Sequence, residues 1–154
     1  MEVVMEAVDL LKERADVQPN AIAVAGLSRG AELALITGAL DPDVHAVVSI
    51  MGTYEVHGAL QPDGVAWLYQ GKPLPFQWIP VEQIKGPVLL LHGEQDARWP
   101  VGHSYLVADR LAAHGRPYEI IVYPGLAHNL GSEDIFFGPS LTFCLARCWA
   151  RAAR

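Results

Sequence analysis

The sequence lacks what several classes of protein require. None of its apolar runs approaches the roughly 18 residues that a membrane-spanning helix needs. Glu2, Glu6 and Asp9 interrupt the first apolar stretch and no basic region precedes it, so no secretory signal is expected and the expected compartment is the cytoplasm. Basic residues are few: 11 Lys and Arg stand against 17 Asp and Glu, for a net charge of −6. A chain without a clustered basic face is a poor nucleic-acid binder, so no nucleic-acid partner is expected, and no membrane partner either. There are only 2 cysteines. Cys144 and Cys148 fall four apart in a helical pattern and share one helix face, a poor geometry for a disulfide, so reduced thiols are expected. Asp, Glu and His show no metal-ligand spacing, and no glycine-rich phosphate loop is present. No metal and no cofactor are therefore expected. Repeats, linkers and low-complexity tracts are also missing, which predicts a single domain over residues 1–154.

What is present is strongly apolar. With 51% hydrophobic and 18% charged residues, the chain has the means to build a core. Residues 2–15 place Val3, Val4, Ala7, Val8, Leu10 and Leu11 at three- and four-residue spacings, the period of an amphipathic helix. Ala21 to Ala25 is an unbroken apolar run ending at Gly26, as in a strand buried on both faces of a parallel sheet. The alternation continues with a helix over 29–39, a strand over 44–50, an apolar strand at Val88–Leu91, and a helix introduced by Pro100 and stopped at Gly115. A strand over Tyr118–Tyr123 and a last helix introduced by Pro139 complete the pattern. The fold class read from this is α/β, with about four parallel strands flanked by helices. Residues 51–83 interrupt the rhythm with Pro62, Pro73, Pro75 and Pro80 and the aromatic residues Trp67, Tyr69, Phe76 and Trp78. A stretch of that length has two readings: a lid or acyl-pocket wall, or an ordered excursion packing its aromatics on the core.

Three residues carry the chemistry. Gly26-Leu27-Ser28-Arg29-Gly30 matches the G-x-S-x-G elbow, in which a serine sits on a strained strand-to-helix turn and its hydroxyl stands above the sheet. The helix N-terminus that follows points backbone N–H groups, that of Arg29 among them, at any oxyanion formed there. Asp96 follows the Val88–Leu91 strand, on the sheet edge where Ser28 is expected. Glu94 is the rival acid. His128 follows the last strand and is placed to take and return the Ser28 proton while the acid fixes its tautomer. Serine, acid and histidine thus occur in the order expected of an α/β-hydrolase. The remaining histidines, His45, His57, His92, His103 and His114, have no assigned chemical role, although His92 stands near enough to shape the site.

Gly26-Leu27-Ser28-Arg29-Gly30-Ala31-Glu32-Leu33 resembles the elbow of the acyl-CoA thioesterase and bile acid-CoA:amino acid N-acyltransferase family. Gly93-Glu94-Gln95-Asp96 with Trp99, Leu111 to Arg116, and Tyr123-Pro124 ahead of His128 extend that resemblance over nearly the whole chain. Dienelactone-hydrolase-like proteins share the plan but commonly use cysteine as nucleophile, so Ser28 fits the thioesterase branch better. The resemblance implies a truncated α/β-hydrolase fold, because relatives carry further strands before the point matching Met1 and take half of the oxyanion hole from there. It therefore implies a fragment, a minimal variant, or a chain that pairs with another copy or an N-terminal partner, with the strand at 21–25 left at a sheet edge. The expected partner is a small-molecule acyl ester or thioester. The function implied is a serine hydrolase of the acyl-CoA thioesterase type working through an acyl-serine. The alternatives are a general carboxylesterase and an inactive remnant serving as a binding or assembly module.

Overall fold

The computed structural model describes residues 2–56, 67–74 and 77–128, together with 138–140, 142–144 and 146 near the end of the chain. Helix α1 (Glu2–Lys12) leads to strand β1 (Ala23–Leu27), helix α2 (Arg29–Leu40) and strand β2 (Ala46–Ile50). A small hairpin, β3 (Leu68–Tyr69) with β4 (Lys72–Pro73), and a single 3₁₀ turn at Val81–Gln83 precede strand β5 (Val88–Gly93). Helix α3 (Gly102–Ala113) and strand β6 (Tyr118–Tyr123) follow, and the described residues from 138 to 146 are helical.

The four main strands form one parallel sheet in the order β1-β2-β5-β6. That is the α/β architecture the alternating pattern predicts. Parallel pairing brings the C-terminal ends of all four strands to one edge, and the loops that follow β1, β5 and β6 meet there.

Among the described residues, two cores hold the sheet. Val47, Val88 and Leu90 face one side, where Leu35 and Ile36 of α2, Val107 and Leu111 of α3, and Val8 of α1 pack with Ile79, Val81 and Ile84. Ala46, Val48, Ile50, Leu89 and Leu91 face the other, against Phe143. β2 and β5 are buried along their whole length, which is why they read as continuous apolar runs.

β1 departs from its reading in two ways. It begins two residues later, at Ala23, and it is only half-buried with Ala25 exposed. The cause is position: as the edge strand it has a neighbour on one side only, as the resemblance implied. α1 departs as well. Only Val8 is buried, whereas Val3 and Leu10 are 76% and 65% exposed, so its apolar face is wider than the surface it covers. α3 starts at Gly102, leaving Pro100 just outside the helix.

Among the described parts of 51–83, Tyr54, Val56, Trp67 and Leu74 pack against the core. Glu55 bridges to Trp78, the Tyr54 and Trp78 rings lie 5.3 Å apart, and Ile79 and Val81 are fully buried. Of the segment 51–83 read as a lid or wall, residues 57–66, which include His57, and 75–76 fall outside the described residues, as does Cys148. No helix among the described residues is long and apolar enough to cross a membrane.

Candidate active site

Ser28 follows β1 and caps α2 with φ 55° and ψ −117°, a conformation that a non-glycine residue rarely holds. Its own N–H donates to the Ile50 carbonyl at 2.8 Å, which ties the turn to the neighbouring strand. Gly26 makes the turn possible. A Cβ there would stand 1.9 Å from the Gly30 carbonyl oxygen, so the strand and the first turn of α2 approach too closely for any side chain. Gly30 plays no such steric part, since nothing lies within 4 Å of where its Cβ would be.

The loops after β5 and β6 are stitched together. The Glu94 N–H donates to the Tyr123 carbonyl at 3.0 Å and the Gln95 N–H to the Leu126 carbonyl at 2.9 Å. Gly93 lets them meet, because a Cβ at this position would fall 2.3 Å from the Leu126 carbonyl oxygen. Asp96 and His128 therefore face each other across a fixed seam.

The three residues singled out by the sequence come together at this edge. His128 Nε2 lies 2.9 Å from Ser28 Oγ, and His128 Nδ1 lies 2.6 Å from Asp96 Oδ2. A carboxylate only accepts, so Nδ1 carries the proton, and Nε2 is left to accept from the Ser28 hydroxyl. The Asp96 side chain is fully buried while that of His128 is 15% exposed, so the imidazole is reached from solvent and the carboxylate is not. Asp96 Oδ1 accepts two backbone N–H groups, from Arg98 and Trp99, each at 2.9 Å. The rival acid, Glu94, is exposed and accepts instead from the Gly125 N–H. The Arg29 N–H opens α2 and, like the other first N–H groups of a helix, has no acceptor within its own helix.

Five residues without an assigned role also belong here. Trp99 donates its indole N–H toward Ser28 Oγ at 3.3 Å. His92 is fully buried, with Nε2 2.7 Å from the Trp99 carbonyl and Nδ1 2.7 Å from Ser104 Oγ. Burial pushes the His92 pKa below its ordinary value. Beneath the elbow the buried Glu32 carboxylate accepts the Trp67 indole N–H at 2.6 Å, and the Arg29 guanidinium lies 5.2 Å from the centre of that indole. None of these contacts follows a sequence period, so only position in space reveals them.

Arg116 precedes β6 at the opposite sheet edge and donates to the Glu82 carbonyl. No cluster of metal-ligating side chains occurs among the described residues. A cavity of about 570 Å³ along α3, lined by Tyr54, Trp78, Ile79, Pro80, Leu106 and Arg110 among others, is not bordered by Ser28, Asp96 or His128. These three residues therefore lie outside it.

Residues 2–134 match the model of the dienelactone hydrolase family, and the chain belongs to that family. Among curated proteins it is 30% identical over 142 residues to the uncharacterized peptidase YtmA of Bacillus subtilis (strain 168), covering 81% of this chain and 54% of that protein. It is 27% identical over 156 residues to the mitochondrial acyl-coenzyme A thioesterase 2 of Mus musculus, covering 84% of this chain and 34% of that one. The thioesterase resemblance thus holds at a distance, and the chain spans about half or less of the length of these relatives. A puromycin-hydrolyzing peptidase of Mycobacterium tuberculosis superimposes with a TM-score of 0.73 at 20% identity, over 94% of this chain and 24% of that one. At that identity the likeness is one of fold.

Proposed function

Taking membership of the dienelactone hydrolase family as the premise, we propose that the chain is a serine hydrolase that cleaves an ester or thioester through an acyl-Ser28 intermediate. The observation that carries this reading is the unbroken hydrogen-bond line from Ser28 Oγ through His128 to the buried Asp96.

In the mechanism proposed, His128 Nε2 removes the Ser28 proton as Oγ attacks the acyl carbon. Asp96 holds the imidazole in the required tautomer and faces the positive charge it gains. The Arg29 N–H is aimed at the oxygen that becomes negative, and a single donor of this kind supports on the order of 10²–10³ in rate. His128 then gives its proton to the departing alkoxide or thiolate. A water, deprotonated by the same nitrogen, attacks the acyl-serine and restores the Ser28 hydroxyl. Every step uses this chain's residues and one water.

Acyl-CoA is the substrate class favoured by the thioesterase likeness. The test is to compare hydrolysis of acyl-CoA thioesters of graded length with that of p-nitrophenyl esters and aminoacyl amides, using Ser28→Ala as the blank. Turnover of acyl-CoA above that of simple esters, lost in Ser28→Ala, is the expected result. Faster ester than thioester cleavage replaces the thioesterase reading by a carboxylesterase one. Turnover that persists in Ser28→Ala overturns the acyl-serine mechanism.

A further inference from the structure

Asp96 Oδ2 has two imidazole neighbours. His128 Nδ1 lies 2.6 Å away on the side of the nucleophile, and His92 Nε2 lies 3.3 Å away on the side of the core. The His92 and Asp96 side chains are both fully buried.

The His92 partners fix its tautomer. The Trp99 carbonyl, 2.7 Å from Nε2, only accepts, so Nε2 carries the proton. Nδ1 of the neutral ring must then accept, and the Ser104 hydroxyl at 2.7 Å, in the first turn of α3, supplies the donor. The N–H that donates to the Trp99 carbonyl thereby also stands beside the second oxygen of the acid, with Nε2 3.3 Å from it. The first oxygen, Oδ1, already holds the Arg98 and Trp99 N–H groups. The carboxylate is thus gripped from its own turn through Oδ1, while Oδ2 is divided between two histidines.

We propose that His92 is a positioning residue for Asp96: its Nε2–H shares Oδ2 with His128 and limits how strongly that oxygen binds the base. The inference rests on the reading of Ser28, His128 and Asp96 as a working set. A buried ring that merely filled space would not need the Ser104 hydroxyl on its far nitrogen, nor a protonated nitrogen 3.3 Å from the acid. The titratable groups around His92 are Asp96 from its own loop and His128 from the loop after β6, and α3 presents the neutral Ser104. Removing the His92 N–H leaves more negative charge on Oδ2 for His128 alone. The base then holds its proton more tightly and is disarmed at higher pH.

The test uses the whole chain with His92→Leu, His92→Gln and Ser104→Ala beside the wild type. Two readouts are taken on the folded fraction: the acid limb of the rate of fluorophosphonate labelling against pH, and the low-field proton resonance of the His128 Nδ1–H. In His92→Leu the limb is expected to move up by roughly 0.5–1 pH unit and the resonance to lower field. Ser104→Ala, which frees the tautomer with little loss of packing, moves both in the same direction by less. His92→Gln, whose amide N–H reaches the place of Nε2, returns them toward wild type. A limb and resonance unchanged or shifted the other way in both His92→Leu and Ser104→Ala overturn the inference, whatever happens to melting temperature. A wild type that never labels overturns the hydrolase reading instead, and the resonance, which needs no turnover, then decides the His92 contact by itself.

Discussion

Trp99 directs its indole N–H at the Ser28 hydroxyl oxygen from 3.3 Å, across 71 positions of sequence. The same residue gives its backbone N–H to Asp96 Oδ1. Ser28, His128, Asp96 and Trp99 therefore form a closed ring of hydrogen bonds in which the nucleophile is held from two directions. Trp99→Phe keeps an aromatic ring but removes the indole donor. Labelling of Ser28 is expected to slow by about 2–10-fold with little change in stability, as suits one hydrogen bond of ordinary strength. Stopped-flow labelling measures it, and an unchanged rate would show that the indole contact does not steady Oγ.

Gly93→Ala tests the seam between the two loops. The new methyl would meet the Leu126 carbonyl oxygen, part of the backbone, at 2.3 Å, so the loop bearing His128 has to move. Activity is expected to fall at least tenfold, with a stability loss of about 2–4 kcal/mol by denaturant titration. Wild-type turnover in a stable Gly93→Ala protein would mean the loops adjust freely.

Acid sensitivity follows from His92. Its folded pKa lies below the ordinary 6.5 because burial penalises the charged ring. The unfolded chain takes up this proton first as pH falls, so protonation favours unfolding. The contribution is complete above about pH 6.5 and is lost as pH drops below that value toward the depressed folded pKa. Urea titrations at pH 7.5 and pH 5.5 are expected to show a smaller difference in unfolding free energy for His92→Gln than for the wild type. Equal differences would show that His92 does not titrate on unfolding.

Trp67→Phe isolates the contact beneath the elbow. It withdraws an N–H from the buried Glu32 carboxylate, for an expected cost of about 1–3 kcal/mol in thermal or urea unfolding. A change below about 0.5 kcal/mol would place the weight of that carboxylate on its other contacts.

Much of the fold was legible because β2 and β5 bury both faces, and burial of that kind leaves an unbroken apolar run in the sequence. β1 carries a similar run at the edge, where composition alone misjudges its burial by missing the absent neighbour. Ser28, Asp96 and His128 were legible for a different reason: each follows a strand end, and parallel pairing carries those ends to one edge. His92, Ser104, Trp99 and the Glu32–Trp67 pair were not legible as a set. Their contacts span 7 to 71 positions and join a strand, two helices and loops, so no local spacing encodes them. Gly93 hid in the same way, because the reason for its missing side chain is a carbonyl of the loop after β6.

The central claim is that Ser28 is a nucleophile activated by His128. A fluorophosphonate probe followed by intact-mass and peptide analysis tests it most directly, with Ser28→Ala and His128→Ala as controls. The account predicts one adduct per wild-type chain, located on Ser28, none in Ser28→Ala, and labelling of His128→Ala slowed by about 10³-fold or more. A folded wild type that takes up no probe, or an adduct that survives in both variants, would contradict it.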